Sequence, residues 1–359
     1  MSADSKDEAA PPLPLADLDL ILAQTRQLWP EMRDQRLFLT GGTGFFGCWL
    51  VESFCHINRT LELGARVTVL SRDPAKFLAK CPHLANEPAI ALHRGDVRNF
   101  TFPAGEFGYV IHAATETKAK QGVDKPLEML STILAGTERT LEFAIQRGAR
   151  KFLLTSSGAV YGRQPPELTH VPETYTGAPD PLNPASDYGE GKRTSELMCA
   201  LYQKAAAAKG SAFEAKIARC WAFCGPHLPL DAHFAIGNFI GDVMAGRPIS
   251  IGGDGTPRRS YLYAAELATW LWTILLRGPA LIPINVGSGR DVSIHELAEI
   301  VAATLAAATP IQVAKQATPG AAPARYVPSV ERAGQLLGLR ETVSLEEAIR
   351  RTFAWASGR

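Results

Sequence analysis

Tyr188 and Lys192 stand four residues apart in Ser186-Asp187-Tyr188-Gly189-Glu190-Gly191-Lys192, a spacing that on a helix puts a phenol and an ammonium one turn apart on the same face. A free phenol, with a pKa of about 10, is a poor base at neutral pH. A fixed cation close by favours the phenolate and lowers that value, so the pair can take a proton from a sugar or alcohol hydroxyl while hydride leaves the carbon. Tyr-x-x-x-Lys also arises by chance, and the competing reading is an exposed helix face carrying an ordinary Tyr and Lys. The position of the pair downstream of a nucleotide-binding pattern and of Ser157 favours chemistry.

That pattern begins at a short apolar strand over 36–40, which runs into Gly41-Gly42-Thr43-Gly44-Phe45-Phe46-Gly47 and then an apolar helix over 48–54. Glycines spaced in this way permit a tight turn and let backbone approach a pyrophosphate, which the helix N-terminus holds through its free N–H groups and dipole. Gly41, Gly44, Phe45, Phe46 and Gly47 are therefore the candidate pyrophosphate-binding residues, although the first Gly-x-x-Gly gap is one residue longer than the common dinucleotide fingerprint. A second strand over 66–70 ends at Ser71-Arg72-Asp73. An acidic residue at this strand end would accept from the adenosine ribose of NAD, whereas a small residue followed by Arg accommodates a 2′-phosphate. Ser71 and Arg72 lean towards NADP; Asp73, one or two positions late, keeps NAD open. A third strand over 89–93 delivers Asp96, whose carboxylate could accept the adenine amino group, and Val97. A fourth over 109–114 ends in Ala113 and Ala114, small enough for a cofactor to cross the sheet edge. His112 reads as a satisfied strand-end histidine.

A helix over 126–147, a fifth strand over 151–154 leading to Ser157, the Tyr188 helix to about residue 208 and a sixth strand over 214–220 complete an alternation that implies right-handed crossovers. The expected fold is α/β, a Rossmann-type doubly wound parallel sheet with a smaller C-terminal substrate-binding lobe interleaved with it. Residues 1–34 form a tail and an extra helix over 15–32, whose role is open between a dimer contact and a lid on the cofactor site. Residues 35–225 form the dinucleotide-binding domain, and 226–359 mainly the substrate lobe. In that lobe a loop over 227–233, a helix over 236–244, a turn-rich segment at 252–259, helices over 262–276, 294–305 and 345–355, and a strand over 284–286 are expected.

Composition narrows the function classes. The 359 residues carry a formal charge of +1, with both signs interspersed, which gives no case for nucleic acid or an anionic membrane as partner. The six cysteines lack metal-ligand spacing and read as reduced core thiols of a cytoplasmic protein with no metal site. No apolar signal-like segment opens the chain, and no apolar run has the uninterrupted length of a membrane span; the nearest, 262–276, is broken by Glu266.

Taken together, Gly41-x-x-Gly44-x-x-Gly47, Gly95-Asp96-Val97, His112-Ala113-Ala114, Ser157, Tyr161-Gly162, Tyr188-x-x-x-Lys192 and Gly225-Pro226 closely resemble the extended short-chain dehydrogenase/reductases. Within these the chain resembles the NAD-dependent epimerase/dehydratase family that modifies nucleotide-activated sugars, over roughly residues 35–355. The segments 253–259 with Tyr263, and 285–289 followed by Ser293-Ile294, also match the family's patterns. The resemblance implies that Tyr188 removes a hydroxyl proton, that Lys192 lowers its pKa and binds the nicotinamide ribose, and that Ser157 steadies the ketone that forms. The register from Val160-Tyr161-Gly162 selects Ser157 over Ser156. It further implies that Arg259 and Asn238 bind the substrate diphosphate; a surface cation in a turn and a helix cap are the competing readings of those two residues. Pairing of the 126–147 and Tyr188 helices into a homodimer is implied by analogy, through Leu134, Leu141, Leu197 and Leu201.

Departures from the family narrow the reaction. Relatives that carry out 4,6-dehydration place an Asp-Glu pair directly after the serine or threonine, and UDP-glucuronate decarboxylases usually carry a glutamate at the second position. Here these residues are Gly158 and Ala159, which transfer no protons, so both reactions are disfavoured. Ala222 also replaces the family's usual asparagine. What remains is epimerisation through a transient 4-keto sugar, the expected reaction, with NADPH-dependent reduction of a 4-keto sugar as the alternative. A catalytically silent dinucleotide-binding protein is the reading from a different class, and the retention of Ser157, Tyr188 and Lys192 argues against it.

Overall fold

The computed structural model describes residues 9–115, 127–232, 234–306 and 308–358. Most of the expected N-terminal tail (residues 1–8), Pro126 at the start of the expected 126–147 helix and His233 at the end of the expected loop lie outside the described residues.

Seven strands, β1 (Arg36–Thr40), β2 (Arg66–Ser71), β3 (Ile90–Arg94), β4 (Tyr109–His112), β5 (Lys151–Ser157), β6 (Glu214–Cys220) and β7 (Ile284–Val286), build one sheet in the order β7-β6-β5-β4-β1-β2-β3. Every adjacent pair is parallel. Strands covered on both faces need unbroken apolar runs rather than alternation, which is what Leu37, Phe38 and Leu39 in β1 and Tyr109, Val110 and Ile111 in β4 supply, all buried. The strand order reverses between β1 and β4, so the ligand crevice of such a sheet opens at their carboxyl ends.

Helix α1 (Leu15–Thr25) precedes the sheet, and α2 (Phe45–Thr60) and α3 (Pro74–Lys80) connect β1 to β2 and β2 to β3. Helix α4 (Glu128–Gln146) leads into β5 and α5 (Asp187–Ala207) into β6; α6 (Ala235–Met244), α7 (Ala264–Arg277), α8 (Ile294–Leu305), α9 (Glu331–Leu337) and α10 (Leu345–Ala356) follow. Strand β7 comes from the C-terminal third yet completes the N-terminal sheet, so the two parts of the chain are interleaved.

The extra N-terminal segment is core. After α1 the chain tightens into a 3-10 turn over Arg26–Met32 that contains Pro30. Its Trp29 is fully buried and meets Trp272 of α7 edge to face at 4.9 Å. Asp17 of α1, also buried, accepts hydrogen bonds from the Tyr263 hydroxyl and from Arg351, both at 2.6 Å. A segment tied by a buried carboxylate to the residue just before α7 and to α10 serves packing.

Two segments differ from the sequence reading. Leu262–Tyr263 pairs in parallel with Phe223–Cys224 as a short strand, and α7 begins only at Ala264. Residues 264–276 are buried on every side, so periodicity carries no boundary signal there. The turn-rich segment at 252–259 ends in a strand, Arg258–Ser260, which lies between Asp291–Ser293 and Arg325–Tyr326 in a three-stranded sheet. Asp291 holds it together by accepting from Arg258 and, at 2.7 Å, from Arg325.

Glu266, the charge that interrupts the apolar run, is fully buried in α7. Its Oε1 accepts from the Thr342 hydroxyl at 2.9 Å and from the Val343 amide at 3.1 Å, while Oε2 has no partner. Desolvation outweighs these hydrogen bonds and pushes the carboxyl up to about 7. A carboxyl whose pKa is raised on folding stabilises the protein while protonated, so its contribution is present below the unfolded value and is lost as pH rises to about 7. Stability is therefore expected to fall between pH 5 and pH 8 by up to about 3 kcal/mol from this group. Urea unfolding should show that slope, and Glu266→Gln should remove it.

Candidate active site

The turn after β1 holds two glycines, Gly41 and Gly47, where no side chain fits. Gly41 has φ +73°, and a Cβ there would lie 2.5 Å from the Ala113 carbonyl carbon; a Cβ at Gly47 would collide with the Gly41 and Gly42 backbone. Gly44, the N-cap of α2, has only the Gly41 carbonyl at 3.5 Å on its Cβ side, and no side chain caps the helix. The first N–H groups of α2, at Phe45, Phe46 and Gly47, thus point to the crevice between β1 and β4 without a side-chain cap. These features fit a dinucleotide pyrophosphate. Across the crevice the Ala114 amide donates to Thr40 Oγ1 at 3.1 Å, and the Thr115 hydroxyl is buried without a partner. Sequence reading did not single out Thr115, whose hydroxyl faces this crevice without a protein partner.

At the end of β2, Ser71 Oγ accepts from the Asp73 amide at 3.2 Å, and the Asp73 carboxylate caps α3 by accepting from the Lys76 amide at 3.0 Å. Asp73 is thereby engaged as a helix cap. Arg72 lies close enough to Asp96 to help hold that carboxyl below its ordinary range, although Arg98 is the main cause, gripping Asp96 at 2.8 and 2.9 Å. Val97 packs under α4, with its methyls 3.0 and 3.2 Å from where a Gly136 Cβ would be. His112 is fully satisfied: Nδ1 pairs with Thr40 Oγ1 at 2.8 Å and Nε2 with Thr137 Oγ1 at 3.2 Å. Burial, reinforced by Lys192, pushes it down to about 3, so it is neutral and structural.

The structure brings Ser157, at the carboxyl end of β5, together with Tyr188 and Lys192 in the first turns of α5. Ser157 is buried, its Oγ accepts from the Ala159 amide at 3.1 Å, and the Tyr188 phenol is close enough for Ser157 to pull its pKa down. Lys192, only 2% exposed, donates to the Thr155 carbonyl at 2.9 Å, and its Nζ lies 5.9 Å from the centre of the Tyr188 ring. Desolvation lowers the ammonium to about 8. Tyr188 keeps some surface exposure, yet desolvation at its hydroxyl end pushes the phenol up to about 12, against the pull of the nearby Ser157. The expected lowering by Lys192 does not act on the phenol: the ammonium is engaged by the Thr155 carbonyl and lies 5.9 Å from the ring centre. A phenol in this state needs an added positive charge to become a base.

The opposite wall is aromatic. Trp221 packs on Tyr326 with ring centres 4.4 Å apart, and the Tyr326 hydroxyl lies 2.8 Å from where a Gly158 Cβ would be. Arg259 pairs in register with Tyr326, and its guanidinium lies 5.8 Å from that ring. Arg259 is therefore a strand residue beside the Ser157 cluster rather than a surface cation in a turn. Asn238 sits inside α6, not at its cap, and its buried Oδ1 has no partner. No hydrogen bond joins Asn238 to Arg259 among the described residues.

Two supports escaped sequence reading. Glu196, one turn beyond Lys192, pairs with Arg219 of β6 through bonds of 2.9 and 2.6 Å and accepts from Ser156 Oγ at 2.6 Å. The 188, 192, 196 spacing was the available signal. Asn285 of β7, fully buried, accepts from Tyr161 Oη at 3.0 Å and Trp221 Nε1 at 3.2 Å while donating to the Val171 and Ser329 carbonyls. It fixes the aromatic wall from beneath. Among the described residues no group of three or more His, Cys, Asp or Glu side chains could hold a metal ion, and no helix is long and apolar enough to cross a membrane. All six cysteines are buried and free.

Comparison with known proteins places this geometry. The chain is 28% identical over 356 residues to UDP-glucuronic acid decarboxylase 1 of Danio rerio, covering 98% of this chain and 81% of that one. Its fold is similar to a UDP-N-acetylglucosamine 4-epimerase from Methanobrevibacter ruminantium, with a TM-score of 0.74 and 21% identity, covering 91% of this chain and 99% of the other. It is also similar to an NAD-bound double mutant of a dTDP-glucose 4,6-dehydratase from Streptomyces venezuelae, with a TM-score of 0.72 and 22% identity over 90% and 97% of the two chains. The model of the NAD dependent epimerase/dehydratase family matches residues 37–287, the stretch that holds the glycine turn, Ser157, Tyr188, Lys192 and Arg259. By that match, this chain is an enzyme of the NAD dependent epimerase/dehydratase family.

Proposed function

We propose that the enzyme oxidises a hydroxyl of a nucleotide-diphosphate sugar to a transient 4-keto sugar and returns the hydride to the opposite face, inverting C4. When bound, the nicotinamide accepts and returns that hydride and brings a positive charge. Tyr188 takes the hydroxyl proton and gives it back, Ser157 donates to the ketone oxygen, and Lys192 orients the cofactor ribose. Arg259 and Asn238 bind the diphosphate, the first by charge and the second by donating from its side-chain NH2 group. The 226–359 segment supplies these contacts as the substrate lobe of the 35–225 domain.

The observation that carries this reading is the pair of positions after Ser157. A Cβ on Gly158 would meet the Trp221 ring at 2.7 Å and the Tyr326 hydroxyl at 2.8 Å, and Ala159 has no titratable group. The place of the first dehydratase acid is taken by the aromatic wall, and the second position carries only a methyl group. A decarboxylase acting on UDP-glucuronic acid is the second reading, favoured by the Danio rerio relative. Incubating the enzyme separately with UDP-glucose and UDP-glucuronic acid distinguishes them: a C4-inverted product supports the first reading, and released carbon dioxide with a pentose product supports the second.

NADP is the preferred dinucleotide under this proposal. Asp73 is committed to capping α3, which leaves Ser71 and Arg72 to meet the adenosine ribose. Arg72→Ala is expected to weaken NADP binding about tenfold or more, the loss of one charge-assisted phosphate contact, while NAD binding stays level; calorimetric titration with both dinucleotides checks it. A homodimer through α4 and α5 is supported by Leu197 and Leu201, which are 58% and 55% exposed. Leu141 is buried in the core and Leu134 half-buried, so α5 supplies the larger part of that face.

A further inference from the structure

Tyr188, Lys192 and Glu196 follow one another at successive turns of α5, a spacing that puts them on one face of the helix. The chemistry proposed for the site uses the first two. Two consecutive residues of β5 are tied to this face: the Thr155 carbonyl accepts from Lys192 at 2.9 Å, and Ser156 Oγ donates to Glu196 Oε1 at 2.6 Å. Ser157 is the next residue of the strand, and Tyr188 stands one turn before Lys192 on the helix.

Glu196 differs from Lys192 in what holds it. Its largely buried carboxylate is gripped from β6 by Arg219, with Nε 2.9 Å from Oε1 and Nη2 2.6 Å from Oε2. Arg219 lies opposite Ser156 in the β5–β6 register, and its guanidinium sits 4.7 Å from the centre of the Tyr161 ring. A bidentate pair of this kind imposes its own geometry. The Lys192 ammonium, in contrast, is a point charge on a flexible stem with three rotatable donors. Glu196 is therefore the rigid tie between α5 and β5, and one oxygen of it, Oε1, receives both the strand hydroxyl and the guanidinium.

We propose that Glu196 is a positioning residue: clamped by Arg219, it holds Ser156 and so fixes how α5 sits along β5, which sets the place of the Tyr188 phenol relative to Ser157 and to the reacting hydroxyl. This inference rests on the proposed hydroxyl oxidation, in which Tyr188 and Ser157 address one oxygen. A helix advances about 1.5 Å per residue, so a slide of less than one residue carries the phenol out of range of that oxygen. A misplacement of about 1 Å costs up to about 10²-fold in rate.

The test separates positioning from stability. It uses the full chain with its dinucleotide and whichever of UDP-glucose or UDP-glucuronic acid the wild type turns over. Ser156→Ala removes the tie to β5 and leaves the pair of Glu196 with Arg219 in place. Its kcat is expected to fall about tenfold, with KM within about threefold of wild type, dinucleotide affinity level, and a melting temperature lower by no more than about 5 °C, the loss of one hydrogen bond. The double variant Glu196→Leu with Arg219→Met strands no charge, and it stands in if Ser156→Ala does not fold. Its kcat should stay about tenfold or more below wild type even where its stability is recovered, because nothing then holds Ser156 to α5. Ser156→Ala with wild-type kcat would overturn the proposal. So would a double variant whose kcat returns together with its stability, since the pair would then act through folding alone. A change confined to KM or to dinucleotide affinity would overturn it as well. Wild type inert on both sugars, or Tyr188→Phe as active as wild type, would instead overturn the proposed function, and this inference with it.

Discussion

Tyr188→Phe is expected to lower kcat by about 10²- to 10⁴-fold, the range for removing a general base, while leaving dinucleotide affinity nearly unchanged. The ring stays beside Lys192, whose ammonium keeps its hydrogen bond to the Thr155 carbonyl, so the cofactor side of the site is preserved. Only the phenol oxygen, the candidate proton acceptor, is lost. The phenol stands at about 12 because desolvation dominates; a base must first lose its proton, so wild-type turnover should rise with pH, and the variant should lose that dependence together with its rate. Steady-state kinetics and calorimetric titration of the dinucleotide check both parts. Turnover within a few-fold of wild type would remove Tyr188 from the chemistry.

The second large effect concerns stability. Arg219→Ala leaves Glu196, whose side chain is 13% exposed, with Ser156 alone as partner, and an uncompensated buried carboxylate of this kind costs about 3 kcal/mol. The pair spans α5 and β6, and Ser156 faces Arg219 in the β5–β6 register, so the loss reaches the residue next to Ser157. Urea unfolding should show the destabilisation, with a lower kcat accompanying it. The double variant Arg219→Met with Glu196→Leu should recover most of the stability, because an apolar pair of similar volume does not need the desolvation to be offset. Equal loss in the single and double variants would mean that the ion pair itself, rather than the stranded carboxylate, sets the energy.

The central sheet was legible in the sequence because its parallel strands are buried on both faces and its crossovers are helical; six of its strands and the residues at their carboxyl ends could be read from apolar runs and glycines. The α7 boundary was not legible, since a segment buried all round has no polar stripe to mark where a strand gives way to a helix. Tyr326 was invisible for another reason. Its strand has two residues, too few for any period, and it follows a Pro/Gly/Ala segment, so its approach to Gly158 depends on strand pairing with Arg259 across 67 residues of chain. Tyr188, Lys192 and Ser157 were readable as types and spacings. Their electrostatics were not, because the competition between burial and the Lys192 charge depends on where the ammonium points.

The claim that one proton shuttles through Tyr188 while C4 inverts is tested most directly with UDP-glucose carrying deuterium at C4. The product, analysed by proton NMR and mass spectrometry, should be inverted at C4 and retain the deuterium on that carbon. A stable 4-keto-6-deoxy product, deuterium lost to solvent, or no conversion with either bound dinucleotide would contradict it.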